Sequence, residues 1–133
     1  MSLEPRSRVL VVEDNVMNMR LMEQILTAAG YQTLQSANGD DLVEQVVAET
    51  PIAVLMDIQL PKVSGVDLLR QLRADPRTSS TPVLAVTAFA DPDSMTKFHK
   101  AGFDKIITKP VSIRILLDAL AALPPRPASP PLG

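Results

Sequence analysis

The chain has no cysteine and no tryptophan, one tyrosine (Tyr31) and one histidine (His99) among its 133 residues. Without cysteine there is no disulfide, no thiolate zinc site, no iron–sulfur cluster and no thiol nucleophile. Aromatic residues make up 3% of the chain, too few for a platform on which nucleic-acid bases stack. A basic field is also missing, because the formal net charge is −2, and nucleic acid is therefore excluded as a partner. No apolar run is long enough for a signal peptide or a membrane span. What is present is 46% apolar and 21% charged residues, the balance of a globular domain. The length provides for one domain with one hydrophobic core.

Proline is the abundant exception, at 12 residues. Five of these fall in the last ten positions, 124–133. That stretch cannot continue a helix and has little to bury, so an extended Pro-rich tail is expected there. Residues 1–7 form a polar lead-in. The folded domain is expected over 8–123, with no output domain attached to it.

Within that body, short β-rich runs alternate with segments of helical period. Arg8–Val12 is a β-branched run that stops at Glu13-Asp14. A helix follows from about Asn15, with Met22, Ile25, Leu26 and Ala29 on one face and Gly30 as its stop. A weaker strand covers Gln32–Ser36. Asn38 is placed to cap the next helix, whose buried stripe is Leu42, Val43, Val46 and Val47. Ile52–Met56 is continuously apolar, the pattern of a strand covered on both faces, and stops at Asp57. Ser64-Gly65-Val66-Asp67 has the form of a capping box with Asp for Glu, and Leu68, Leu69 and Leu72 face inward after it. A polar loop spans Asp75–Thr81. The fourth strand, Pro82–Val86, ends at Thr87. Asp91-Pro92 starts a helix that stops near Gly102. The fifth strand, Lys105–Thr108, ends at Lys109-Pro110, and Ser112 caps a last helix with Ile113, Leu116, Leu117 and Leu120 on one face. The order is (βα)5. Right-handed crossovers then favour a flavodoxin-like α/β fold, a doubly wound parallel sheet in strand order 2-1-3-4-5.

The conspicuous polar residues stand at strand ends. Glu13 and Asp14 follow strand 1, Asp57 follows strand 3, Thr87 strand 4 and Lys109 strand 5. In a parallel sheet these positions share the carboxyl edge, where ligands bind at the reversal of strand order. Two carboxylates about 4 Å apart repel by about 4 kcal/mol at an effective dielectric of about 20. A shared proton or a cation relieves that repulsion. Oxygen ligands without His or Cys suit Mg²⁺, and Lys109 brings a second positive charge, which together read as a phosphoryl-transfer site. Asp57 is the candidate nucleophile, because it stands alone while Glu13 and Asp14 are neighbours suited to sharing a metal. Each residue alone has a plainer reading: Asp14 as a helix cap, Asp57 as a turn residue, Thr87 as a strand end and Lys109 as a solvated lysine. Their joint placement is what points to chemistry. His99 reads as a solvated helix residue, and Met17, Met19, Met22, Met56 and Met95 as core or partial-core filler.

Glu13-Asp14-Asn15, Met56-Asp57-Ile58-Gln59-Leu60-Pro61 with Gly65, Thr87-Ala88 and Lys109-Pro110 together resemble the receiver domain of two-component response regulators. The resemblance runs from about Arg8 to Leu123, and in its details is similar to stand-alone regulators of the DivK type. It implies that Asp57 accepts a phosphoryl group from a sensor histidine kinase or a histidine phosphotransfer protein. It also implies that Asp14, Asp57 and the backbone carbonyl of Gln59 ligate Mg²⁺, with Glu13 acting through a metal-bound water. Thr87 and Lys109 bind phosphoryl oxygens, Ala88 leaves room for them, and Lys109-Pro110 is a cis peptide. The aromatic residue that receivers often carry three positions before the lysine is replaced here by Ile106. Gln59 and Phe89 occupy the positions that tune acyl-phosphate hydrolysis.

The resemblance further implies a cytoplasmic protein, not a classical enzyme, that signals by binding through the face made by its fourth helix, fifth strand and fifth helix, Pro92 to Leu123. The alternatives are a phosphorelay shuttle, a pseudo-receiver that is never phosphorylated, and a phosphatase of the haloacid dehalogenase type. The last needs a second Asp where Gln59 stands. A flavin carrier is disfavoured by the acidic first loop.

Overall fold

A computed structural model describes residues 7–37, 39–60, 63–89 and 91–123. The expected lead-in (apart from Ser7), the Asn38 cap, Pro61 and the Pro-rich tail lie outside them. The chain runs β1 (Arg8–Val12), α1 (Val16–Ala28), β2 (Gln32–Ser36), α2 (Leu42–Glu49), β3 (Ala53–Asp57), α3 (Gly65–Ala74), β4 (Val83–Thr87), α4 (Pro92–Ala101), β5 (Lys105–Thr108) and α5 (Ile113–Ala121). The five strands are parallel, in the order β2-β1-β3-β4-β5. This is the doubly wound arrangement that the sequence predicts.

The helices start where short polar side chains replace missing backbone partners. Asn15, Ser64, Asp91 and Ser112 accept from the amides of Asn18, Val66, Ser94 and Ile115, each satisfying one donor that a helix start leaves open. The box expected at Ser64 does not close. Ser64 bonds Val66, and the shorter Asp67 side chain turns to Arg70 at 3.5 Å. Helix α2 begins after Asp41, which is left-handed at φ 54° and makes no side-chain cap bond.

The central strands β3 and β4 are buried at every position, and successive side chains point to opposite faces. Instead of the single core expected from length, two apolar clusters form, one on each face. Val54 and Met56 pack with α2, α3 and Phe98 of α4, while Ala53 and Leu55 pack with α1 and α5. Strand β3 starts at Ala53 rather than Ile52 and includes Asp57 as its last residue.

Some faces are narrower than their periodicity predicts. Ala29 is exposed at the C-cap of α1. Val43 and Val47 are half-buried. Ile113 is 56% exposed and Met17 71% exposed, whereas Met19, Met22 and Met56 are buried. Both exposed residues stand in the first turn of their helices.

Candidate functional site

The carboxyl edge of the sheet gathers the residues read from the strand ends. Glu13 follows β1 directly. Its amide donates to the Ser36 carbonyl at 3.0 Å, which holds the side chain in a buried position at 6% exposure. Asp57 closes β3 and is also buried. Asp14 lies in the exposed turn between β1 and α1. One carboxylate oxygen from each of Glu13, Asp14 and Asp57 falls within 4.8 Å of the others. Asn15, not Asp14, is the cap of α1, so Asp14 keeps its carboxylate free of that duty.

Lys109 enters from β5. Its Nζ stands 3.2 Å from Asp57 Oδ2 and 3.7 Å from Glu13 Oε1. The lysine thus bridges two acids, and the Glu13 contact has no signal in the sequence. The Lys109 amide donates to the Thr87 carbonyl at 2.8 Å, fixing the ends of β4 and β5 together. The Lys109–Pro110 peptide is cis.

Thr87 is fully buried, and its Oγ1 accepts from the Phe89 amide at 2.9 Å. Ala88 beside it is exposed. The Gln59 amide donates to Asp57 Oδ1 at 2.9 Å, so both oxygens of Asp57 have a partner. Gly65 completes the frame. A Cβ there would stand 2.8 Å from the Ile58 Cα and 2.9 Å from the Asp57 carbonyl oxygen, so only glycine lets α3 start this close to the end of β3.

The electrostatics follow from burial. The Glu13 carboxyl is raised above its usual pKa, chiefly because it is withdrawn from water. The charge of Asp57 adds to the effect, while the Asn15 amide and Lys109 oppose it. Carboxylates this close with one ammonium among them carry an unmet demand for positive charge. With no nitrogen or sulfur ligand in the set, a hard divalent cation fits that demand.

The remaining candidates sort plainly. His99 is exposed on α4. Ile106 is half-buried against the cluster around Phe98. Phe103 packs edge-on against Phe98, with centroids 6.3 Å apart and an interplanar angle of 89°. Phe89 is 47% exposed. Beside Lys109 a cleft of about 420 Å³ opens, lined by Glu13, Asn18, Leu21, Met22, Val86 and Pro110 among others. Sequence reading missed it. Asn18 and Leu21, close to one turn apart on α1, were the available signal.

The response regulator receiver domain family matches residues 9–121. The polar-differentiation response regulator DivK of Brucella anthropi is 36% identical over 116 residues, covering 87% of this chain and 94% of DivK. The signal receiver domain of a signal transduction histidine kinase from Syntrophus aciditrophicus superposes with TM-score 0.82 at 28% identity, covering 96% of this chain and 98% of that one. The receiver domain of a Pseudomonas aeruginosa sensor histidine kinase, described with a magnesium ion coordinated in its active site cleft, superposes with TM-score 0.81. It is 28% identical and covers 90% of this chain and 98% of its own.

Proposed function

The chain belongs to the response regulator receiver domain family, and we propose on that footing that Asp57 is its phosphoacceptor. The observation that carries the assignment is the position of Lys109, within 3.2 Å of Asp57 and 3.7 Å of Glu13, with Asp14 in the same carboxylate cluster. An Asp57 oxygen attacks phosphorus, the P–N bond of a phosphohistidine on a sensor kinase or histidine phosphotransfer protein breaks, and the imidazole leaves with the electron pair and takes a proton. Lys109 then moves its charge from carboxylate to phosphoryl oxygen, and the Thr87 hydroxyl donates to another oxygen. Exposed Ala88 leaves that approach open. Water later cleaves the acyl phosphate, restoring the Asp57 carboxylate and releasing inorganic phosphate, so the domain catalyses its own charging and discharge without being a classical enzyme.

Asp14, Asp57 and the Gln59 carbonyl would hold Mg²⁺, with Glu13 reaching it through water. When bound, that ion supplies the charge that neutralises the phosphoryl group and offsets the carboxylate repulsion. Glu13 is suited to the outer position, because its buried carboxyl already accepts from the Asn15 amide at 3.2 Å.

The receiver unit spans 8–123, with the Pro-rich residues after it outside the chemistry. Its output is protein binding through α4, β5 and α5, about Pro92 to Leu123, where phosphorylation shifts a pre-existing equilibrium. Among the described residues no helix is long and apolar enough to cross a membrane, and we place the protein in the cytoplasm with its kinase. Similarity to receiver domains of histidine kinases supports a second reading, a relay that passes the group to another histidine.

Labelling with acetyl phosphate and Mg²⁺, followed by intact mass, tests the assignment. The wild type is expected to gain one phosphoryl group and Asp57→Asn none. Equal labelling of both would overturn the choice of Asp57. Onward transfer to a histidine phosphotransfer protein separates relay from terminal regulator.

A further inference from the structure

We propose that the groove between α1 and α5 is a docking site for the chain's own Pro-rich segment, residues 124–133, held there as a polyproline helix. The groove has a volume of about 340 Å³ and apolar walls, Leu21, Ile25, Ala28 and Ala29 on one side and Ile113 and Leu117 on the other. Leu21 is 49% and Ile113 56% exposed, so the described residues leave its mouth open.

Position and reach select the segment as occupant. Helix α1 follows β1 and precedes the parallel β2, so its last turn lies at the amino edge of the sheet. Helix α5 leaves the end of β5 and packs on the same apolar cluster, so its last turn lies there too. Leu123 packs on that cluster just beyond α5, and residue 124 therefore starts at the foot of the groove. From Ala28 up to Leu21 the groove runs about 10 Å, at about 1.5 Å per helical residue. Residues 124–133 span about 31 Å as a polyproline helix, at about 3.1 Å per residue. The difference leaves length for the chain to turn back.

The order of residues in the segment fits the groove. A polyproline helix has three residues per turn. Pro124, Pro127 and Pro130 then form one apolar ridge, and Pro125, Ala128 and Pro131 form a second beside it. Arg126 and Ser129 fall on the third. Prolines fix this shape before docking, so little conformational freedom is lost on contact. Charge agrees as well. Neither α1 nor α5 has a basic residue in its last turn, and Asp118 of α5 meets Arg114 at 3.9 Å. The carbonyl ends of both helices favour a cation, and Arg126, the one charged side chain of the segment, passes them as the segment enters. Leu21 also lines the cleft beside Lys109. The docked segment thus competes with any protein that approaches the site along α1.

Nuclear magnetic resonance of the full chain, at two protein concentrations, tests the docking. Cross-relaxation is expected between the rings of Pro127 and Pro130 and the methyl groups of Leu21, Ala28 and Leu117. The Ala128 and Ser129 amides are expected to show order parameters of about 0.85, the value of rigid backbone, where a free segment falls below about 0.6. Ala28→Lys puts a long cation at an exposed position of the groove and should bring both amides below the lower value. Arg126→Glu changes the segment itself rather than the domain. It should lower the docked-to-free ratio about two- to fivefold, the worth of one charge at a helix end. The Ala128 shift, placed between its wild-type and Ala28→Lys positions, reads that ratio. Order parameters below about 0.6 in the wild type overturn the proposal. So do ordered amides without cross-relaxation to the groove methyls, amides that stay ordered in Ala28→Lys, or an Arg126→Glu shift equal to wild type. Cross-relaxation found only between differently labelled copies, or order lost on dilution, assigns the groove to a second copy and overturns it too.

Discussion

At the scale of single residues, the site is a balance of charge that the protein alone does not complete. Lys109 gives one positive charge to Asp57 and Glu13, and Asp14 joins the same carboxylate cluster. Glu13 bears the cost. Its folded pKa is raised by burial and by Asp57, so the folded state binds its proton more tightly than the unfolded chain does. The ionised form is therefore destabilising at pH values above the raised pKa. The penalty is relieved as pH falls through that value, and is gone below the ordinary pKa of 4.5. Glu13→Gln keeps an acceptor for the Asn15 amide and removes the charge. It is expected to raise the melting temperature at pH 7 without Mg²⁺, with the gain shrinking as the pH is lowered. Adding Mg²⁺ should stabilise the wild type more than Glu13→Gln. Thermal scans across pH, with and without the ion, check both signs. A variant that melts lower than wild type at pH 7 in the absence of Mg²⁺ would contradict this account.

At the scale of elements, the starts of α1, α3, α4 and α5 each have a side chain answering for them, and these caps differ in what they predict. Ser64 satisfies the Val66 amide without the reciprocal bond of a full box. Ser64→Ala is expected to cost about 1 kcal/mol in denaturant unfolding. Asp91 behaves differently because its cap is ionised. The Ser94 amide and side chain lower its pKa, so its contribution is present above the unfolded carboxylate range and is lost as pH falls through the depressed folded value. Asp91→Asn keeps an acceptor but should remove that acid-side component, flattening stability against pH below the ordinary carboxylate range. An unchanged slope would show that the charge of Asp91 contributes nothing. Features of this kind were legible in the sequence because they depend on one residue and its chain neighbours. Ser64, Asp91, Ser112 and the left-handed Gly102 announce themselves, whereas the cap of α1 falls on Asn15 rather than on its neighbour Asp14. The continuous apolar runs of β3 and β4 are legible for a related reason, since a strand covered on both faces has no polar side to show. What periodicity could not supply is the neighbour. Ile113 fits an inward stripe, yet with Leu21 it lines an open groove between α1 and α5. The Glu13–Lys109 contact and the Phe89–Thr87 bond depend on where loops end in space. Nothing in residue type or spacing encodes those distances.

At the scale of the whole molecule, one sheet is the shared wall of two cores, and this decides how the protein loses its structure. Residues of β3 alternate between the clusters, Val54 and Met56 to one side and Ala53 and Leu55 to the other. A helix that detaches on one face leaves the same strands without cover, and the loss is transmitted across the sheet by the backbone. The two clusters should therefore unfold as one unit. Leu69 and Tyr31 provide the test. Leu69 is fully buried in the cluster made with α2 and α3, and Leu69→Ala is expected to cost about 2–5 kcal/mol, as large-to-small core substitutions do. Tyr31, the chain's single tyrosine, packs against the opposite cluster, so its fluorescence reports the far side alone. Helix content followed by circular dichroism reports both sides. In Leu69→Ala the two signals are expected to move to lower denaturant together and by the same amount. A tyrosine transition that stays at the wild-type midpoint while circular dichroism loses part of its amplitude earlier would mean that the faces unfold separately. A signal formed at Asp57 on the shared wall would then have no mechanical reason to reach α4 and α5 on both sides of it.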